Sequence, residues 1–91
     1  MNQAVIFAYD INYEKARREA EKLAKEIIQK HPNLNYKIVP WQGDGVYLEL
    51  YGEDEDLVWE ISQSLAQKKV RLLAAGAPVY IIYGGKKKAA A

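Results

Sequence analysis

Residues 54–76 read as one long helix with apolar residues on two sides, and that doubling limits what the chain can fold into. At 3.6 residues per turn, Leu57, Val58, Ile61, Leu65 and Leu72 fall within one narrow arc. Trp59, Ala66, Val70 and Leu73 lie well round the cylinder from it. A helix resting on one sheet needs a single apolar stripe. A second stripe needs a second partner, either another part of the fold or another molecule. Glu53, Asp54, Glu55 and Asp56 sit where the positive end of a helix dipole favours acids. Gly76 and Pro78 form a stop signal, although Val70-Arg71-Leu72-Leu73 would also serve to begin a strand, with the helix then ending near Lys69.

The rest of the chain alternates strand and helix patterns. Residues 4–9 (Ala-Val-Ile-Phe-Ala-Tyr) form a continuous apolar run suited to a central strand. Asp10 and Asn12 then offer capping oxygens to a helix that starts near Tyr13. Its apolar stripe is Tyr13, Ala16, Ala20, Leu23, Ala24 and Ile27, and its opposite face alternates Glu with Lys and Arg. Pro32 ends it. Residues 36–42 form a strand interrupted by Pro40, which belongs at a sheet edge or bulge because proline donates no ladder bond. Gly43-Asp44-Gly45 is a hairpin turn signal. Residues 46–51 alternate, Val46, Leu48 and Leu50 facing one way and Tyr47, Glu49 and Tyr51 the other. The face that Trp41 joins depends on the turn length. Residues 79–83 (Val-Tyr-Ile-Ile-Tyr) are the last strand, and 84–91 a basic and alanine tail.

Composition narrows the function. Ninety-one residues make one domain, taken as 1–85 with 86–91 as an appended tail. The net charge of +1 provides no general field for nucleic acid or an anionic membrane. No apolar run is long enough to cross a bilayer, and the first residues lack a secretory signal, so cytosolic or recombinant expression is the expectation. With no cysteine there is neither a disulfide framework nor a thiol nucleophile. His31 alone is a poor metal site, and the acids at 53–56 lack the spacing of a calcium loop. Ser62 and Ser64 have no base nearby in sequence. The chain is read as non-enzymatic, with no cofactor and no metal.

The order strand, helix, strand, hairpin, strand, helix, strand resembles the ferredoxin-like βαββαβ architecture. This implies an α+β two-layer sandwich, with a four-stranded antiparallel sheet in the order 4-1-3-2 and two helices on one face. Known members of that architecture differ at their functional residues. The third strand, with Glu49 at its middle, is not the basic-aromatic strand of RNA-recognition motifs. The loop after Tyr9 lacks the arginine of acylphosphatases, and metallochaperones require a Cys-x-x-Cys loop. The first helix, Glu-Lys-Ala-Arg-Arg-Glu-Ala-Glu-Lys-Leu-Ala-Lys-Glu, is patterned so regularly that the chain is more similar to de novo designed members of this architecture.

Two surfaces stand out. The second helical stripe borders the last strand, which has neither proline nor inward charge to protect its edge, whereas the opposite edge carries Pro40. The candidate partner-binding residues are therefore Trp59, Ala66, Val70 and Leu73 on the helix, with Val79, Tyr80, Ile81, Ile82 and Tyr83 on the strand. A protein partner or a second copy would extend the sheet there. The alternative is that the stripe is internal packing in a domain with no ligand. The helix-free sheet face is the second surface, where Tyr47, Tyr51 and Trp41, with Tyr80 or Tyr83, could hold a small molecule. Aromatics of this kind also stack on bases, but only Lys37 supplies charge and Glu49 opposes it, so no nucleic acid is expected.

Overall fold

The computed structural model describes residues 11–87. Helix α1 (Tyr13–Lys30) begins at Asn12, whose side-chain oxygen accepts from the Lys15 N–H at 3.0 Å. Ala16, Ala20, Leu23, Ala24 and Ile27 are its buried residues, and the three alanines let the helix axis come close to the sheet. It closes with the His31 N–H on the Ile27 carbonyl, immediately before Pro32.

Strands β1 (Asn35–Trp41) and β2 (Gly45–Tyr51) form an antiparallel hairpin with Ile38 opposite Leu48 and Trp41 opposite Gly45. Gly45 has φ +135°, and a Cβ there would lie 2.6 Å from the Pro78 carbonyl oxygen, so both backbone and space require glycine. Helices α2 (Glu55–Ser64) and α3 (Ala66–Ala74) then cross to β3 (Val79–Gly85). Val46, Leu48 and Leu50 are wholly buried and join Val58, Ile61, Leu72, Val79, Ile81 and the α1 stripe in one core.

The expected four-stranded antiparallel sheet with two helices is corrected here. Among the described residues the sheet has three strands in the order β1-β2-β3, and the helices number three. The last strand pairs in parallel directly with β2, from Val46 opposite Val79 to Leu50 opposite Tyr83. That continuous ladder occupies the place where the interleaved order would have put the first strand. The 4–9 run itself lies outside the described residues. The long helix is also divided at Leu65. The Ser64 hydroxyl donates to the Ile61 carbonyl at 2.7 Å, while the Leu65 N–H is shared between the Ile61 and Ser62 carbonyls at 3.2 Å each. A side-chain donor competing for a helix carbonyl tightens and bends the turn.

Candidate partner-binding surface

The two stripes read from sequence separate in space. Val58, Ile61 and Leu72 are buried, and Leu57 and Leu65 pack against the core. Val70 is 63% exposed, Leu73 55% and Trp59 41%. Ala66 is exposed as well. Trp59 is oriented by its indole N–H, which donates to Glu55 Oε2 at 3.0 Å one turn earlier.

Helix α3 and the start of β3 enclose a groove of about 270 Å³ lined by Ala66, Lys69, Val70, Leu73, Pro78, Val79 and Tyr80. A second depression of about 330 Å³, lined by Ala66, Gln67, Val70 and Arg71, adjoins it across Val70. Five of the nine expected residues, Ala66, Val70, Leu73, Val79 and Tyr80, therefore line one groove; Trp59, Ile81, half-buried Ile82 and Tyr83 do not. Trp59 lines neither depression, because the break at Leu65 comes between it and α3. Val79 and Ile81 direct their side chains into the core, so only their backbone is available to a partner. Tyr83 shares the helix-facing side with Leu50, and its hydroxyl donates to the Gly52 carbonyl at 2.8 Å. Burial, then Glu55, Glu53 and Asp54, raise the Tyr83 phenol above its ordinary value.

Lys69 was not singled out from sequence, yet it sits on the groove wall. Its ammonium donates to the hydroxyl of buried Ser62 at 2.6 Å, and burial lowers its pKa. The signal was its place between Ala66 and Val70 on the same face. Bonded to Ser62, the ammonium is drawn towards the break between α2 and α3, leaving aliphatic carbon along the groove.

On the helix-free face Trp41 meets the ring of Tyr47 edge-on at 6.0 Å, and Tyr47 meets Tyr80 at 5.1 Å. The three-residue turn 42–44 places Trp41 on this face, and Tyr80 rather than Tyr83 completes the row. Tyr51 is buried instead, with its hydroxyl donating to Glu49 Oε1 at 2.6 Å and its ring over Gly84. That bond, with burial, raises the Tyr51 phenol. Trp41 and Tyr47 line neither the α3–β3 groove nor its neighbouring depression, whereas Tyr80, at the end of the row, also forms part of the groove wall.

The acids at 53–56 start α2, with Asp54 Oδ1 accepting from the Leu57 N–H at 3.2 Å. Glu53 and Asp54 share a cleft of about 430 Å³ with Lys30, His31, Asn33 and Leu57, where charges of both signs face each other. Among the described residues, no three His, Cys, Asp or Glu side chains converge as a metal site would require. No described helix is long and apolar enough to cross a membrane. Comparison with known protein families, characterised proteins and solved structures finds no match. The functional reading therefore rests on the geometry of the groove and the edge.

Proposed function

We propose that the chain is a protein-recognition module of designed origin that binds an extended apolar strand of a partner along the outer edge of β3. The observation that carries this is the α3–β3 groove, which puts exposed Val70 and Leu73 beside a strand paired on one side only among the described residues. An unpaired strand edge offers backbone donors and acceptors, and an adjacent apolar groove selects the side chains of the added strand. Arg71 in the adjoining depression favours a partner with acidic residues flanking its apolar stretch. The patterned surface of α1 supports the designed origin. A second copy pairing edge to edge is the symmetric form of the same chemistry.

The test uses synthetic ten-residue peptides alternating Val or Ile with Thr or Glu, titrated against the full chain by fluorescence anisotropy. Val70→Glu with Leu73→Glu should weaken binding at least tenfold, about 1.4 kcal/mol. Peptide binding that is unchanged in the double variant, or that follows Trp41→Ala instead, rejects the groove in favour of the aromatic face.

A further inference from the structure

We propose that Lys69 is a carbonyl-capturing amine, which condenses reversibly with an apolar aldehyde seated in the α3–β3 groove to form an imine. The site shares the groove of the recognition reading but is a different activity, and it stands or falls without any partner strand.

Three observations carry the proposal. The first is position. Lys69 is half-buried and lines the groove of about 270 Å³ together with Ala66, Val70, Leu73, Pro78 and Tyr80. Its nitrogen reaches Ser62, seven residues earlier. The side chain therefore runs towards the N-terminal end of α3, past Ala66, as helical side chains lean. An aldehyde with its hydrocarbon against Val70 and Leu73 then presents its carbonyl at the Ala66 end, where the nitrogen lies. The second is the company of that nitrogen. Its partner at 2.6 Å is the hydroxyl of buried Ser62, and among the described residues no carboxylate lies within ion-pair distance of it. On α1, Glu19 is taken up by Lys22 at 3.5 Å and Lys68 at 3.8 Å, Arg71 of α3 is a further cation, and β3 brings only Val79 and Tyr80 to the groove wall. Burial makes the Lys69 ammonium give up its proton more readily than usual, and no neighbouring carboxylate opposes this. The third is the lining. Ala66, Val70, Leu73 and Pro78 offer hydrocarbon, which favours an alkyl chain over a charged one.

The neutral nitrogen is the nucleophile. The ammonium first loses one proton to water. Its lone pair then forms a C–N bond to the carbonyl carbon while the C=O π pair moves to oxygen, and one nitrogen proton passes to that oxygen. The carbinolamine so formed loses its hydroxyl with the remaining amine proton as water, leaving C=N. No oxidant or reductant is consumed, and added water reverses the step. Ser62 Oγ, beside the nitrogen, is placed to hydrogen-bond the departing oxygen.

The test incubates the full chain with hexanal and sodium cyanoborohydride, which reduces the imine to a stable secondary amine, and reads each lysine by peptide fragmentation. Lys69 should be alkylated at least about tenfold faster than Lys68, and its rate should saturate as hexanal is raised. Equal rates at the two lysines, or a rate at Lys69 that never saturates, overturns the proposal. Glyoxylate, a small anionic aldehyde, should show no preference for Lys69; if it is favoured there over hexanal, a basic surface and not the groove is responsible. Leu73→Ala should raise the half-saturating hexanal concentration roughly threefold or more and leave the glyoxylate rate unchanged. An unaltered hexanal dependence is contrary. If that variant fails to fold, 1-hexanol, which has no carbonyl, should compete with hexanal at Lys69 and not at Lys68; absence of competition overturns the proposal. Capture of hexanal by a chain that binds none of the alternating peptides supports the amine site and removes the recognition reading. Peptide binding without preferential alkylation of Lys69 does the reverse.

Discussion

Lys69 shows how a single side chain shapes the groove. Its hydrogen-bond partner is a hydroxyl, that of Ser62, and burial disfavours its charged form. The folded chain thus holds this proton less tightly than the unfolded chain, whose value is 10.5. Stability consequently rises with pH through the window just below 10.5, as Lys69 becomes neutral in both states. Lys69→Met should raise the urea midpoint at neutral pH by an amount worth up to about 1 kcal/mol, with Ser62 turning to a helix carbonyl. The advantage over the unmodified chain should shrink as pH approaches 10.5. Gly84 is the opposite kind of position, where nothing larger fits. A Cβ there would stand 2.5 Å from the ring of Tyr51. Gly84→Ala should cost about 1–3 kcal/mol in urea unfolding, because the ring is fixed by its bond to Glu49 and cannot swing clear without losing it.

The elements divide between what local chemistry decides and what it leaves open. The end of α3 is local. Gly76 has φ +79°, its N–H donates to the Leu73 carbonyl at 3.1 Å, and the Ala77 N–H donates to the Leu72 carbonyl at 2.9 Å. This is a Schellman end with buried Leu72 and Ala77 behind it. Gly76→Ala should lower stability by about 1–2 kcal/mol through the left-handed backbone alone, measurable as a lower thermal midpoint. That stop was legible as Gly before Pro, as were the Asn12 cap, the acids at the start of α2 and the alternation of residues 46–51. The break at Leu65 was not legible, because Ser64 has two choices, water or the Ile61 carbonyl, and only packing selects between them. The strand order was also beyond reach. Apolar alternation fixes which face of β3 is buried, since Val79 and Ile81 go inward, but carries no label for its neighbour. The groove was half legible. Val70 and Leu73 stood out as surplus apolar residues, whereas nothing in the sequence pattern singled out Lys69.

At the scale of the whole molecule, one core under one sheet face leaves two surfaces exposed, and the phenols bind several of its edges together. Tyr36 bonds to Glu21 of α1 at 3.1 Å, Tyr47 to Asp44 of the turn at 3.3 Å, and Tyr51 and Tyr83 to the partners described above. Burial is the largest cause of the raised values at Tyr36, Tyr47 and Tyr83, and the Glu49 bond at Tyr51. In each case the folded chain keeps the proton above the ordinary value of 10.0. Stability from these groups is fully present below pH 10.0 and is lost as pH rises beyond it, since the unfolded phenols ionise first. Lys69 acts in the opposite sense only up to 10.5, so thermal melts should show a falling midpoint between pH 10 and 11.

The central claim is that Trp59 and Val70 lie on the surface of this fold and serve something beyond its core. Urea unfolding of the Trp59→Glu, Val70→Glu chain tests it most directly. The account predicts a cooperative transition within about 1 kcal/mol of the unmodified chain, as for substitutions outside a core. A loss of about 3 kcal/mol or more, the scale of emptying a core position, would contradict it.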